Sequence, residues 1–206
     1  MDWLTDRHLF LLAVALYGLS LVYSVFLWRN GFRRDNRINY LLLLAAFGPH
    51  SAAMLLRGFH LGRCPVTNLY EATLFIMWSI VGGYLGIGLW ARLRFLGAFV
   101  SPALFALGVF ALMPGLDTPP SVWPGLGTFC MSLHAALLLL AYGAFGLSAA
   151  AALMFLTQER NLKVNKLRAI GSLLPPIQRL AAAAERLLAA GFVFLTLGLG
   201  VGGLAL

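Results

Sequence analysis

Six stretches of the chain, residues 9–28, 38–57, 70–91, 95–113, 129–157 and 187–206, are apolar almost throughout, and charged residues collect between them. A helix needs about 20 apolar residues to cross about 30 Å of hydrocarbon, where a chain must satisfy its own backbone hydrogen bonds. The pattern therefore predicts an all-α bundle of six transmembrane helices, with residues 1–206 forming a single integral membrane domain. The fourth stretch is stopped by Pro114 and Gly115. The segment holding Asp117, Pro119, Pro120, Pro124, Gly125 and Gly127 cannot continue it. Pro49, inside the second stretch, opens the helical hydrogen-bond ladder locally and introduces a kink.

Composition narrows the class. Of the 206 residues 61% are apolar and 11% charged, and the mean hydropathy is +0.86, whereas a soluble domain carries about a quarter of its residues charged. A soluble enzyme is excluded. So are a disordered chain, which needs low hydrophobicity and high charge, and a disulfide-built module, for which two cysteines are too few. The first stretch reads as a helix rather than a signal peptide, because Asp2 and Asp6 outweigh Arg7 ahead of it and the apolar run is too long.

Fifteen Lys and Arg against seven Asp and Glu leave a formal charge of +8. In a membrane chain the distribution of that charge matters more than its sum, so no nucleic-acid partner is inferred from it. If the helices alternate, Arg29, Arg33, Arg34, Arg37, Arg92, Arg94, Arg160, Lys163, Lys166, Arg168, Arg179 and Arg186 share one side, twelve of the fifteen cations. Only Arg7, Arg57 and Arg63 lie on the other, and the positive-inside rule then places both termini outside the cytoplasm. The long connection from Gln158 to Arg186 mixes Leu162, Leu167, Ile170, Leu173 and Leu174 with its cations. A helix extension resting on anionic headgroups is favoured there over a partner-docking element.

Ionisable residues within spans point to function by default, because lipid makes them costly. Two matter, His50 and His134. At 1.5 Å per residue His50 lies roughly 10 Å and His134 roughly 8 Å below the outer surface. Two neutral imidazoles at equal depth on different helices are what bis-histidyl haem ligation requires, each giving one ring nitrogen to iron while the other finds a partner. The plainer reading, favoured on the residues alone, is that each ring hydrogen-bonds a carbonyl or hydroxyl across the bundle.

At the start of the third helix Asn68 and Glu71 have capping-box spacing, which accounts for both residues. The functional alternative is that Arg57, Tyr70 and Glu71 line an outward-facing pocket for the anionic edge of a cofactor. Cys64 and Cys130 fall on the same side, where a bridge would persist in an oxidising compartment, although the unbridged state is favoured. Gly82 with Gly86, and Gly198 with Gly202, have the small-xxx-small spacing of helix packing. Trp28, Trp90, Trp123, Tyr17, Tyr23, Tyr40 and Tyr70 read mostly as an aromatic belt. A phosphate-binding loop, G-x-S-x-G and H-E-x-x-H are all absent from the sequence, so hydrolysis and nucleotide chemistry lack candidate residues.

The run Leu56-Arg57-Gly58-Phe59-His60 through Pro65-Val66-Thr67-Asn68-Leu69-Tyr70-Glu71, leading to Phe75 and Trp78, resembles the outer-loop and third-helix signature of the CcsA-type cytochrome c assembly proteins. Leu133-His134-Ala135-Ala136, followed by Leu140-Ala141-Tyr142-Gly143-Ala144-Phe145, is similar to that family's helix with an outer-side histidine. Leu173-Leu174-Pro175-Pro176, with Glu185 ahead of Leu195-Thr196-Leu197-Gly198, is closer to its HemX-like branch. The resemblance covers most of the chain from residue 40 onward.

It implies a component of the bacterial inner membrane that binds haem, taken as haem b, and transfers it toward the outer side for attachment to apocytochrome c, with other membrane assembly subunits as partners. It implies His134 as the iron ligand and His50 as a weaker second candidate, and any catalysis would belong to the complete complex. The family's Trp-x-Trp-Asp loop does not occur in this sequence, which stops where that loop would begin. Either the sequence is a fragment or this member keeps the fold without the loop. The competing expectation is therefore a non-catalytic structural or regulatory subunit of a larger membrane complex. A small-molecule transporter ranks last, for want of midplane charges and inverted repeats.

Overall fold

The computed structural model describes residues 5–32, 36–62, 64–89, 93–118, 128–164 and 175–204. Within them six helices are long and apolar enough to cross a membrane: α1 (Asp6–Arg29), α2 (Arg37–Leu61), α3 (Leu69–Ile87), α4 (Gly97–Ala111, entered through a 3₁₀ turn at Leu93–Leu96), α5 (Thr128–Val164) and α6 (Ile177–Leu204). The described residues contain no strand. The chain is an all-α integral membrane protein.

Helix ends depart from the apolar stretches where local chemistry outweighs hydropathy. α5 runs on to Val164, carried past its apolar part by good helix formers and a Glu159–Lys163 pair one turn apart at 2.7 Å. α6 begins ten residues before the apolar stretch, at Ile177, directly after Pro175 and Pro176, a place where a missing N–H is no loss. Helix extension thus accounts for both ends of the basic connection. Lys166, Leu167, Arg168, Ile170, Leu173 and Leu174 lie outside the described residues. α2 ends at Gly62, whose φ of 61° is the left-handed conformation a helix C-cap asks of glycine. α3 stops at Ile87, earlier than the apolar stretch, and Gly88 follows because a Cβ there would stand 2.7 Å from the Tyr40 ring. Pro49 sits within a helix that remains helical on both sides of it.

α5 and α6 form an antiparallel hairpin with the largest interface in the protein. α1 packs on α2 and α4, and α3 joins the two halves by packing on α2, α4 and α5. Phe10, Tyr17, Leu43, Tyr70, Met77, Tyr84, Leu104 and Met154 fill the core. Tyr17 and Tyr70 are wholly buried there, which corrects the aromatic-belt reading for those two; the Tyr17 hydroxyl meets His50 and the Tyr70 ring lies against Arg57 instead. Trp28 is exposed, as that reading expected, and Trp90 and Trp123 lie outside the described residues.

Small residues set the helix separations, though not at every predicted pair. Gly82 meets only the Phe47 ring at ordinary distance and Gly86 faces open space. The close approach of α3 to α5 is made by Gly83 beneath Leu147 and by Gly143 against Ser79. At the end of the bundle remote from Arg57, Ser20 Oγ lies 2.6 Å from both the Asn39 side-chain amide and Ser101 Oγ, tying α1, α2 and α4 with polar groups buried from lipid.

Candidate functional site

The opposite end carries the chemistry the sequence singled out. The N-termini of α1, α3 and α5 and the C-termini of α2, α4 and α6 lie at that end, as six alternating helices require. Asn68 caps α3 as expected, its Oδ1 accepting the Glu71 N–H at 2.8 Å. The Glu71 carboxylate reaches back one residue further than a capping box, Oε2 accepting from the Thr67 N–H at 2.9 Å and the Thr67 hydroxyl at 3.1 Å. Its other oxygen, Oε1, accepts from Arg57 Nε at 3.1 Å. One side chain thus serves the helix start and the cation at once.

Arg57 is the hub. Besides Glu71, its guanidinium donates to Asp6 Oδ2 at 3.1 Å and to Asp117 Oδ2 at 3.0 Å, and a further short bond runs to Asp117 Oδ1. The side chains involved are nearly enclosed, Arg57 at 16% exposure and Asp6, Glu71 and Asp117 at 16%, 0% and 20%. Nε and both terminal nitrogens of the guanidinium are engaged by carboxylates, so the fork faces protein acids and not a vacant anion site. Asn68 Nδ2 donates to Asp117 Oδ1 at 2.9 Å and to the Thr118 carbonyl at 3.2 Å, and Arg7 reaches Asp117 Oδ2 at 3.3 Å. The Tyr70 ring lies under both cations, 5.1 Å from the Arg57 guanidinium and 5.3 Å from that of Arg7. Arg57, Tyr70 and Glu71 do come together, and what they gather is the start of α1, the end of α2, the start of α3 and the segment after α4.

Burial pushes the Asp117 carboxyl up, but hydrogen bonds from Arg57 and Asn68 and the charges of Arg57 and Arg7 outweigh it and hold the group below its ordinary value. A depressed folded value means that the stability Asp117 contributes is complete above the unfolded carboxylate pKa of about 3.9 and is lost as pH falls below it. Thermal unfolding midpoints in detergent are expected to drop on acidification below about pH 4, with a shallower drop in Asp117→Asn.

The two histidines are not brought together. His50 is wholly buried between helices, its Nδ1 2.9 Å from the Tyr17 hydroxyl of α1 and its ring 5.2 Å from that of Phe10. Among the described residues its Nε2 has no hydrogen-bond partner within 3.5 Å. With α2 extending to Leu61 and α5 starting at Thr128, His50 lies about 16 Å and His134 about 9 Å from their helix ends at 1.5 Å per residue, so the expected match of depth is not kept. His134 is half-buried and turned to α6, where Nδ1 is 2.7 Å from the Gly198 carbonyl. A carbonyl only accepts, so Nδ1 holds the proton, and in the neutral ring Nε2 keeps the lone pair. Nε2 makes no hydrogen bond to a described residue.

That is the state a metal-ligating imidazole needs, one nitrogen anchored to a carbonyl and the other free to donate electrons. His134 fits an axial haem ligand on this ground. His50 does not fit one as it is packed, since Phe10 and Tyr17 cover its ring. No group of three or more His, Cys, Asp or Glu among the described residues is arranged to hold a bare metal ion. Cys64 and Cys130 are not joined by a disulfide, so the bridge is not formed. A cleft of about 450 Å³ opens between α2 and α3 beside the rim, walled by Met54, Phe59, Cys64, Phe75 and Trp78, and neither histidine lines it.

Sequence reading missed Asp6, Asp117 and Tyr17 as partners, and the role of Gly198 and Gly202 beside His134. Asp6 and Asp117 were open to inference, being acids on the cation-poor side with Arg57 to neutralise. Nothing local marks Tyr17 or the two glycines.

A family model described as Cytochrome C assembly protein matches residues 66–204, which take in α3 to α6, the Asn68 to Glu71 run and His134. Protein HemX of Brevibacillus brevis is 27% identical over 201 residues, 95% of this chain and 72% of HemX. The cytochrome c biogenesis protein CcsA of Synechococcus sp. (strain JA-2-3B'a(2-13)) is 27% identical over 162 residues, 73% of this chain and 46% of that protein. Protein NrfI of Wolinella succinogenes is 29% identical over 181 residues, 80% of this chain and 18% of NrfI. The chain thus spans less than half of that CcsA and less than a fifth of NrfI. No solved structure matches. With more than half its length matched, including the Asn68 to Glu71 run and His134, the chain belongs to the cytochrome c assembly protein family.

Proposed function

We propose that this protein is a haem-handling membrane component of cytochrome c biogenesis, set in the bacterial inner membrane with the Arg57 rim and both termini on the outer side. In this reading it binds haem, as haem b, and passes it toward that side for attachment to apocytochrome c, together with other membrane assembly subunits. The cation distribution supports the orientation, and the relatives named for cytochrome c biogenesis support the pathway.

The observation that carries the haem reading is the His134 ring, with Nδ1 anchored on the Gly198 carbonyl and Nε2 without a hydrogen bond to a described residue. Haem would be held through its iron by His134, and the iron supplies the redox chemistry. The chain's own part is to orient that imidazole. His50, held by Tyr17, is assigned to packing, and Arg57, Tyr70 and Glu71 to fixing the segments around the site.

Detergent-purified protein from cells supplied with haem is expected to show a Soret band and a pyridine haemochrome. His134→Ala should lose bound haem by about tenfold or more, since even loss of a ligand's orienting partner lowers metal affinity by about 10- to 100-fold. Wild-type protein without a Soret band would overturn the reading. A structural or regulatory subunit is the second reading, favoured by a rim whose central cation is already neutralised by protein acids. It predicts stable co-purification with partner subunits that His134→Ala leaves unchanged.

A further inference from the structure

We propose that Gly198 and Gly202 of α6 are positioning residues for His134, the first by setting its tautomer and the second by seating its ring. The proposal deepens the haem reading and rests on it only for its second readout.

A neutral imidazole has one proton, which either ring nitrogen can carry, and only the unprotonated nitrogen can bind a metal. The Gly198 carbonyl, 2.7 Å from Nδ1, decides the matter, because it can accept a hydrogen bond and cannot give one. That carbonyl belongs to a continuous helix in which the N–H of residue 202 turns toward the carbonyl of residue 198. Its second lone pair is what His134 uses.

Gly202 closes the same turn. A Cβ placed on it would stand 2.5 Å from Nδ1, 2.7 Å from Cε1 and 3.2 Å from Cγ, so all three of its nearest neighbours are atoms of the His134 ring. Any side chain at 202 must push the imidazole off the carbonyl. Gly200 and Gly203, on the same helix, face open space. Gly202 is thus a small residue at the α5–α6 contact, and the atoms for which it leaves room are those of the imidazole.

The test uses the full chain, labelled with ¹⁵N-histidine in detergent micelles, with the His134 signals identified by their loss in His134→Ala. Wild type is expected to show the Nδ1–H tautomer. Gly202→Ala should shift His134 to mixed or Nε2–H signals, while Gly203→Ala, the same change of helix propensity without the ring contact, should leave them unmoved. Ferric haem titration is the second readout, in which Gly202→Ala should weaken binding by about 10- to 100-fold and Gly203→Ala should not change it. A wild-type Nε2–H tautomer would overturn the proposal, as would Gly202→Ala with wild-type signals and affinity. If Gly202→Ala does not fold, the wild-type tautomer decides alone. Wild-type protein with the Nδ1–H tautomer and no haem affinity would leave the positioning intact and remove the haem reading.

Discussion

Arg57→Leu is expected to destabilise the folded protein by about 3–5 kcal/mol, the range for removing one partner of a buried ion pair. The loss is large because the cation serves three carboxylates, Asp6, Glu71 and Asp117, on three different segments. Without it they repel one another in nearly enclosed positions, and Arg7 touches Asp117 from a side chain that is 45% exposed. Glu71 is fully buried and takes hydrogen bonds from Thr67 as well as from Arg57. Arg57→Lys should fall between the two, since an ammonium restores the charge but offers three donors in place of a five-donor planar fork. Unfolding in mixed micelles with increasing denaturing detergent measures both variants. An Arg57→Leu midpoint equal to wild type would mean that the hub contributes nothing to stability.

His50→Ala is expected to destabilise by about 2–5 kcal/mol, the range for truncating a large core side chain. It removes a ring packed on Phe10 and Tyr17, and it leaves the buried Tyr17 hydroxyl without the bond it makes at 2.9 Å. An unpaired buried group alone costs about 1–3 kcal/mol, whereas replacing both partners by apolar groups of similar shape is close to neutral. The double variant Tyr17→Phe with His50→Leu should therefore recover most of the loss. It also removes the orphaned Nε2 of His50. Haem content should follow His134 and be unchanged in this double variant. Loss of haem from a stably folded double variant would return His50 to the list of iron ligands.

The cap on α3 was legible because it is local: Asn68 and Glu71 are three residues apart, and the Asn68 side chain accepts the Glu71 N–H whatever the rest of the bundle does. The candidate histidines were legible as costly residues in apolar stretches. Their partners were not, because they lie far along the chain. Tyr17 is 33 residues from His50, Gly198 is 64 from His134, and Asp6 and Asp117 are 51 and 60 from Arg57. The apolar stretches put His50 and His134 at equal depth, as one shared iron requires, but the helix ends put them at unequal depths. Depth fixes a position along the helix and leaves the rotation about it open, and the rotations aim one ring at α1 and the other at α6.

By itself the sequence determined the number and order of the helices and the capped start of α3, since lipid charges each segment separately for every unsatisfied backbone group and every buried charge. Only the tertiary structure decided which faces meet, that Arg57 is neutralised by three protein carboxylates, and that α6 supplies the carbonyl holding His134. In a bundle of uniformly apolar helices hydrophobicity does not choose partners; small residues such as Gly143 and Gly202, and polar groups distant in the chain, choose them.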